Sequence, residues 1–178
     1  MKFTETKIPG VYVVEIERLE DVRGFFARTW DEKEATERGL EGRMVQCSTG
    51  FNREAGTLRG MHFQTSPHTE AKVVRCTRGA IYDVVLDLRP DSPMYTKWIT
   101  YELTGDNHRE MYIPKGCAHG YQTLSDSTEV LYMMSEYFHP DASSGVRYDD
   151  PAFNIGWPET ATRVISERDR NWPDWKTV

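Results

Sequence analysis

Short runs of β-branched and aromatic residues, each closed by a turn, recur along most of the chain and constrain its fold more than any other feature. Turn-forming residues separate them, as at Arg78-Gly79 and Pro114-Lys115-Gly116. Many short strands at such spacing are typical of a β-sandwich or a β-barrel. We therefore expect an all-β fold, with strands at 11–16, 24–30, 73–77, 80–88, 97–103, 110–113, 118–124 and 129–135.

Two other segments have distinct patterns. Residues 31–38 begin with a capping-type Asp31 and are followed by Gly39, which predicts one short surface helix. Residues 158–178 contain Pro and Trp turn signals and little periodicity, so we expect a loop-rich C-terminal tail that packs across the barrel. Within 80–88, alternating residues predict a strand with two different faces, one of which lines a core.

Length, charge and cysteine usage exclude several classes of protein. The 178 residues suit a single domain, residues 1–178. A net charge of −6 without a block of like charges disfavours nucleic acid as a partner. Neither a signal peptide nor a stretch of eighteen apolar residues is seen, which predicts a cytoplasmic protein with no membrane partner. Cys47, Cys76 and Cys117 lack CxxC spacing, so we expect reduced thiols packed as small hydrophobic groups.

Two segments carry most of the chemistry. The first reads GTLRGMHFQ over 56–64, and the second reads YIPKGCAHG over 112–120. The second segment resembles the PxGxxH motif of the cupin superfamily. A metal-binding cupin would have a second histidine where this chain has Gln64, and an amide is a poor ligand for Zn²⁺ or Fe²⁺. We therefore predict no metal, although His62, Glu70 and His119 keep a metal-dependent cupin oxygenase or isomerase open as an alternative.

Further motifs extend the resemblance along nearly the whole chain. They are DVRGFF at 21–26, LRGMHFQ at 58–64, KVVRC at 72–76, IPKGCAHG at 113–120, LY at 131–132, DDP at 149–151 and SERD at 166–169. In their order and residue identity, these motifs resemble the dTDP-4-dehydrorhamnose 3,5-epimerase family. The resemblance implies a cupin-type jelly-roll β-barrel with one or two short surface helices.

The resemblance also implies a reaction and four catalytic residues. The family removes a proton next to the C4 ketone of a nucleotide-linked 4-keto-6-deoxyhexose and returns one from the opposite face, at C3, C5 or both. Such a reaction needs a base, a carboxylate that orients it, a cation near the enolate oxygen and an acid. By motif position these are His62, Asp169, Lys72 and Tyr132, and no cofactor is implied. Without the motifs, each could be an ordinary structural or surface residue.

Substrate-binding residues follow from the same resemblance. Arg23, Arg59 and His119 match contacts to the diphosphate and the sugar. Strict alternation would place Arg59 and His62 on opposite faces of a strand, but a bulge at Gly60 could turn both inward.

The nucleobase pocket departs from the family pattern. An arginine, Arg28, stands where a glutamate is usual, Gln46-Cys47-Ser48 replaces a Gln-Asp-Asn segment, and Phe138 replaces a tyrosine. We place Arg28, Gln46, Ser48 and Phe138 among the substrate-binding residues and leave open whether the base is thymine, cytosine or another.

The resulting prediction is a nucleotide-sugar epimerase in deoxysugar and lipopolysaccharide synthesis, with a nucleotide-diphosphate sugar as its partner. A non-catalytic, sugar-binding cupin is a further alternative. The resemblance also implies a homodimer, in which strand 11–16 could extend the sheet of a second copy.

Overall fold

The computed structural model describes residues 1–176 and consists mainly of β-strands. These residues also form two short α-helices and one 3₁₀ helix, Pro140–Ala142. The strands are β1 (Lys2–Glu5), β2 (Tyr12–Glu15), β3 (Leu19–Asp21), β4 (Gly24–Phe26), β5 (Gln46–Asn52), β6 (Thr57–Gln64), β7 (Lys72–Arg78), β8 (Ala80–Asp87), β9 (Trp98–Thr104), β10 (Arg109–Ile113), β11 (Cys117–Thr123), β12 (Thr128–Met134), β13 (Ser143–Gly145) and β14 (Val164–Ile165), and the helices are α1 (Glu32–Glu37) and α2 (Glu167–Arg170).

Two sheets form the barrel. Sheet 1 has the order β1-β2-β10-β7-β12-β5, and sheet 2 has the order β13-β6-β11-β8-β9, with β14 paired to β6. The remaining pair, β3 and β4, forms a separate hairpin. The all-β, cupin-type fold expected from the sequence is confirmed.

The main core lies between the two sheets. It takes alternate residues from facing strands, for example Val74 of β7, Ile81 and Val85 of β8 and Tyr121 of β11. The opposite face of β8 is also buried, because Val84 and Leu86 pack under the C-terminal part of the chain. The predicted core-lining face is therefore present, and the second face is buried as well.

The outer faces of sheets 1 and 2 are partly covered by segments of the chain that have few strand signals in the sequence. Phe153, Ile155 and Trp175 pack on the outside of sheet 2, in agreement with the expected tail, of which residues 177 and 178 lie outside the described part. Helix α1 and its flanks, including Trp30 and Leu40, cover part of sheet 1. As predicted, Asp31 caps α1 by accepting a hydrogen bond from the Glu34 amide.

Several details differ from the predictions. The predicted strand 24–30 ends at Phe26, after a three-residue hairpin strand. Strand β2 has neighbours on both sides, β1 and β10, so it offers no free edge to a second copy; β1 is the edge strand of sheet 1. The three cysteines are free thiols, but Cys47 is exposed whereas Cys76 and Cys117 are buried. Among residues 1–176, no helix is long and apolar enough to cross a membrane.

Candidate active site

A β-bulge in β6 brings Arg59 and His62 to the same face. His119 pairs with His62 and Tyr121 pairs with Arg59, so two residues of β6 oppose the single residue between His119 and Tyr121. Because Tyr121 lies in the core between the sheets, its cross-strand partner Arg59 and the neighbouring His62 both face the barrel interior. The bulge that the sequence suggested at Gly60 is present.

A buried carboxylate holds the His62 ring. Asp169 Oδ1 lies 2.7 Å from His62 Nε2, and Asp169 Oδ2 accepts a hydrogen bond of 3.2 Å from the Gly60 amide within the bulge. The Asp169 side chain is 6% exposed and the His62 side chain 42% exposed. The imidazole is therefore fixed on one side and reachable on the other.

The end of the chain places Asp169. Strand β14 runs parallel to the start of β6, and helix α2 follows it directly, with Ser166 as the N-cap. Burial acts to raise the pKa of Asp169, but the hydrogen bonds from His62 and Gly60 outweigh it and hold this pKa below its usual value. Asp169 therefore remains a carboxylate that accepts a hydrogen bond from Nε2–H, which leaves the lone pair of a neutral imidazole on Nδ1.

Tyr132 faces the same interior from the opposite sheet. It lies on β12, packs against the main core, and its ring centroid is 6.3 Å from that of His119, the cross-strand partner of His62. Burial and the neighbouring Tyr121 hydroxyl raise the pKa of Tyr132 well above its usual value. The phenol consequently stays protonated and can act as a proton donor.

Lys72 is not the solvated lysine that its residue type would suggest. Its side chain is 12% exposed, and Nζ lies 2.9 Å from Glu70 Oε1 and donates a hydrogen bond of 3.3 Å to the His62 carbonyl oxygen. Lys72 pairs with Met134, two residues beyond Tyr132. The positive charge of Lys72 therefore lies beside β6, the strand that carries His62.

His119 and Arg59 complete the interior. His119 Nε2 lies 2.6 Å from Asp83 Oδ1, and both residues are buried. Arg59 Nε donates to Asn52 Oδ1 at 2.8 Å, and Asn52 contacts the Tyr121 hydroxyl at 3.2 Å. The guanidinium of Arg59 is thus connected through one amide to the pair of tyrosines.

Three further predicted residues lie at the open side of this interior. Ser48 is exposed and pairs with Tyr132 across the ladder between β5 and β12, and Gln46 pairs with Met134 on the same face. Gln46 Oε1 also accepts a hydrogen bond of 2.6 Å from the Phe138 amide. The Phe138 ring is 58% exposed and therefore available to stack on a planar ligand.

The structure does not bring Arg23 and Arg28 to this group. Arg23 contacts Asp21 within the exposed β3–β4 hairpin, and Arg28 contacts Asp31 at the start of α1. Within this chain both arginines are exposed and paired with local carboxylates, so their substrate-binding roles stay predictions.

The metal-dependent alternative does not fit the donor atoms. His62, His119 and Glu70 are engaged by Asp169, Asp83 and Lys72, respectively, rather than by one another. Among residues 1–176, the group of histidine and carboxylate side chains whose ligand atoms converge within 4.8 Å is a different one, His68, Glu136 and His139.

Sequence reasoning missed Asp83, Tyr121 and Asn52 as parts of the site. A signal existed for Asp83, because a charged residue on the core-lining face of a strand needs a buried partner. Tyr121 and Asn52 had no comparable signal, since their role depends on contacts between strands distant in sequence. A cleft of about 780 Å³ around Trp98 and Tyr101 contains none of the predicted site residues.

Comparisons of sequence and of fold with known proteins point to one family. The family model for dTDP-4-dehydrorhamnose 3,5-epimerase matches residues 5–177. A relative of that name from Methanothermobacter thermautotrophicus is 42% identical over 96% of this chain and 92% of its own length. The crystal structure of the Bacillus anthracis enzyme with TDP and PPi bound has a TM-score of 0.92, 40% identity, and coverage of 98% and 99% of the two chains.

A second solved structure adds a sugar nucleotide. The enzyme from Legionella pneumophila, in complex with dTDP-4-keto-L-rhamnose, has a TM-score of 0.89 and 31% identity over 99% of both chains. The present chain thus matches the family over almost its whole length in sequence and in fold. It belongs to the dTDP-4-dehydrorhamnose 3,5-epimerase family and is a nucleotide-sugar epimerase of the isomerase class.

Proposed function

We propose that this epimerase uses His62 as base and Tyr132 as acid on a dTDP-linked 4-keto-6-deoxyhexose. The observation that carries the proposal is their arrangement: His62, paired with a buried carboxylate, and Tyr132, held protonated, face one interior from opposite sheets. A base and an acid on opposite sides of a flat enolate produce inversion rather than simple exchange.

The first step is removal of a proton from a carbon next to the C4 ketone. His62 Nδ1 takes the proton, the C–H electron pair forms the carbon–carbon double bond of an enolate, and the carbonyl electron pair moves to oxygen. Asp169 stabilises the resulting imidazolium through its contact with Nε2. The ketone makes this proton acidic enough for an imidazole to remove at a useful rate.

The second step stabilises and then quenches the enolate. The Lys72 ammonium compensates the charge that develops on the C4 oxygen, a contribution of roughly 2.7–4 kcal/mol for one well-placed donor. Tyr132 then donates its phenolic proton to the opposite face of the carbon. The negative charge left on Tyr132 is offset by the nearby Arg59 guanidinium, which acts to lower the pKa of that phenol.

The nucleotide would occupy the open side of the barrel. Arg59 supplies a cation for the diphosphate. The nucleobase would lie among Ser48, Gln46 and Phe138. The substrate-binding roles of these residues and of His119 rest on motif position and on this geometry. We choose thymine as the base because the Bacillus anthracis and Legionella pneumophila enzymes are described with TDP and a dTDP-sugar.

We further propose that a homodimer completes this site. Leu19, Val22 and Phe26 expose large apolar side chains on the β3–β4 hairpin, which carries Arg23 at its turn. Burying these side chains against a second copy would be favourable and would deliver Arg23 and Arg28 to the partner's open site. The cytoplasmic location and the role in lipopolysaccharide synthesis stay predictions.

Proton exchange in D₂O tests the assignment of the two faces. With dTDP-4-keto-6-deoxyglucose, His62→Asn should abolish both deuterium incorporation and inversion. Tyr132→Phe should lower inversion by about 10²–10⁴-fold, while His62 continues to exchange protons on its own face. NMR of the sugar protons reports both quantities at C3 and C5 separately.

A second tyrosine, Tyr82, provides the control for the loss of a buried hydroxyl in Tyr132→Phe. Tyr82 lies on β8 with its hydroxyl bonded to the Gly156 carbonyl on the outside of sheet 2, so Tyr82→Phe should leave exchange and inversion unchanged. Persistent exchange in His62→Asn, or inversion at the normal rate in Tyr132→Phe, would contradict the proposed roles.

A further inference from the structure

A second group of titratable side chains lies outside the proposed catalytic residues. His68 precedes β7, whereas Glu136 and His139 follow β12, and their imidazole and carboxylate ligand atoms all lie within 4.8 Å of one another. The two imidazole rings stack with centroids 3.4 Å apart, and His139 Nε2 lies 3.9 Å from Glu136 Oε1. All three residues are partly exposed, so a solute can reach them.

One buried amide holds the backbone of both loops. Gln64 Nε2 donates to the His68 carbonyl at 3.0 Å and to the Tyr137 carbonyl at 3.1 Å. Gln64 Oε1 accepts from the His139 amide at 2.7 Å, and the Gln64 side chain is buried. These hydrogen bonds hold the backbone of His68 and His139 close together, which keeps the two imidazoles within reach of each other.

The donor set has a specific preference. Two imidazole nitrogens and one carboxylate form a common three-residue set for Zn²⁺ and related first-row divalent metals, with a fourth position open to water. Metal–ligand distances of about 2.0–2.2 Å place ligand atoms roughly 3.4 Å apart in a tetrahedral shell. The two imidazole planes are 17° apart, so at least one ring has to rotate about its side-chain torsions to direct both lone pairs to one ion. Within residues 1–176, neither the His68 nor the His139 side chain has a hydrogen-bond partner that would compete with a metal.

We propose that His68, Glu136 and His139 bind a first-row divalent transition metal, with Zn²⁺ as the best match. The metal would cross-link the loop before β7 to the loop after β12. Phe138 lies between two of the three ligands in sequence, so the same cross-link would fix the ring that we place against the nucleobase. The metal takes no part in proton transfer, which belongs to His62 and Tyr132.

Zinc binding by the full-length, metal-free protein tests the proposal directly. Equilibrium dialysis against Zn²⁺, with metal quantified by mass spectrometry, should give one ion per chain. His68→Gln, Glu136→Gln and His139→Gln should each weaken the affinity at least 10-fold, because each removes one of three protein ligands. Co²⁺ should produce a visible d–d absorption band that disappears in the same variants.

Two histidine controls separate this site from the others. His108 stacks edge-on with Phe25 and lies 3.2 Å from the Arg75 guanidinium, and His62 belongs to the catalytic pair. His108→Gln and His62→Gln should bind Zn²⁺ with unchanged affinity, so the result does not depend on the proposed function. Less than one ion per chain at saturating Zn²⁺, or equal affinity in His68→Gln and His139→Gln to that of the unaltered protein, would overturn the proposal.

Discussion

At the scale of the residue, a partner decides what an ionisable side chain can do. The sequence alone favours a solvated lysine at position 72, but the structure buries this lysine beside the Glu70 carboxylate. Glu70 holds Nζ near the His62 backbone and at the same time neutralises part of its charge. Replacing Lys72 by a neutral residue therefore removes a cation and also leaves the Glu70 carboxylate, which is only 10% exposed, without its ion-pair partner.

A pair of variants separates these two effects. Lys72→Met should lower turnover roughly a hundredfold, through the lost enolate stabilisation, and should also lower the unfolding midpoint because Glu70 is left unpaired. The double variant Lys72→Met/Glu70→Gln should recover the midpoint but not the turnover. Urea unfolding and initial rates measure the two quantities.

An exposed lysine serves as the control for this pair. Lys97 lies at the surface just before β9, and Lys97→Met should change neither quantity. Turnover that returns together with stability in the double variant would show that Lys72 acts only through folding.

The proposed catalytic residues could be named from sequence because each lies in a contiguous motif of the family. For Tyr132 the residue type and strand alone indicate an ordinary core aromatic. For His62, strict alternation predicts the face opposite to that of Arg59, so its orientation depended on the bulge at Gly60. Asp169 also had no support beyond the motif, since a four-residue helix in a charged segment reads as a solvated turn until its contact with the Gly60 amide is seen. Asn52 and Tyr121 required the three-dimensional pairing of strands.

At the scale of the element, the bulge in β6 links the fold to the chemistry. The extra residue interrupts the ladder, which turns Arg59 and His62 inward and releases the Gly60 amide to bind Asp169. Gly60 has φ +126°, and a Cβ there would lie 2.5 Å from the Gly120 Cα atom and 2.9 Å from the His119 carbonyl oxygen. Both the backbone conformation and the space therefore require glycine.

Two alanine substitutions distinguish conformation from contact. Gly24 has the same φ, +126°, but no heavy atom lies within 4 Å of the position that a Cβ would occupy there. Gly24→Ala should cost about 1–3 kcal/mol of unfolding free energy from backbone strain, and Gly60→Ala roughly 2–6 kcal/mol, because overpacking adds to the strain. Chemical denaturation measures both free energies of unfolding. Equal losses in the two variants would show that the close approach of β6 and β11 does not add to the cost of Gly60→Ala.

The elements that escaped sequence reasoning are the short and the polar ones. Strand β5 has Gln46, Ser48 and Asn52 on its inward face because it borders the open site, so it lacks the apolar alternation that marks a strand. Strands β13 and β14 have three and two residues and exist through pairing with β6. Helix α1, by contrast, was predictable because its cap and its terminal glycine are local signals.

At the scale of the whole molecule, the β3–β4 hairpin is the part that a single chain leaves unexplained. Val22 is fully exposed and Phe26 is 72% exposed, although neither contributes to the core. Folding does not bury these side chains, so their apolar surface favours association with a second copy. The same association would supply Arg23 to a site that otherwise has Arg59 as its inward arginine.

Complementation between two inactive chains tests this exchange. Arg23→Ala and Tyr132→Phe should each be nearly inactive as homodimers. When the two chains are mixed at equal concentration and reassembled, half of the dimers contain one of each, and one of their two sites has both residues intact. Activity should therefore rise to about a quarter of the wild-type value if the hairpin reaches the partner's site.

The alternative outcome is equally specific. If Arg23 served the site of its own chain, every site in a mixed dimer would lack either Arg23 or Tyr132, and mixing would restore nothing. The double variant Arg23→Ala/Tyr132→Phe, mixed with either single variant, provides the control, because its chains can donate neither group. A quarter of the activity can arise only when two chains share one barrel interior, and this result would make the assembled pair, and not the single chain, the catalytic unit.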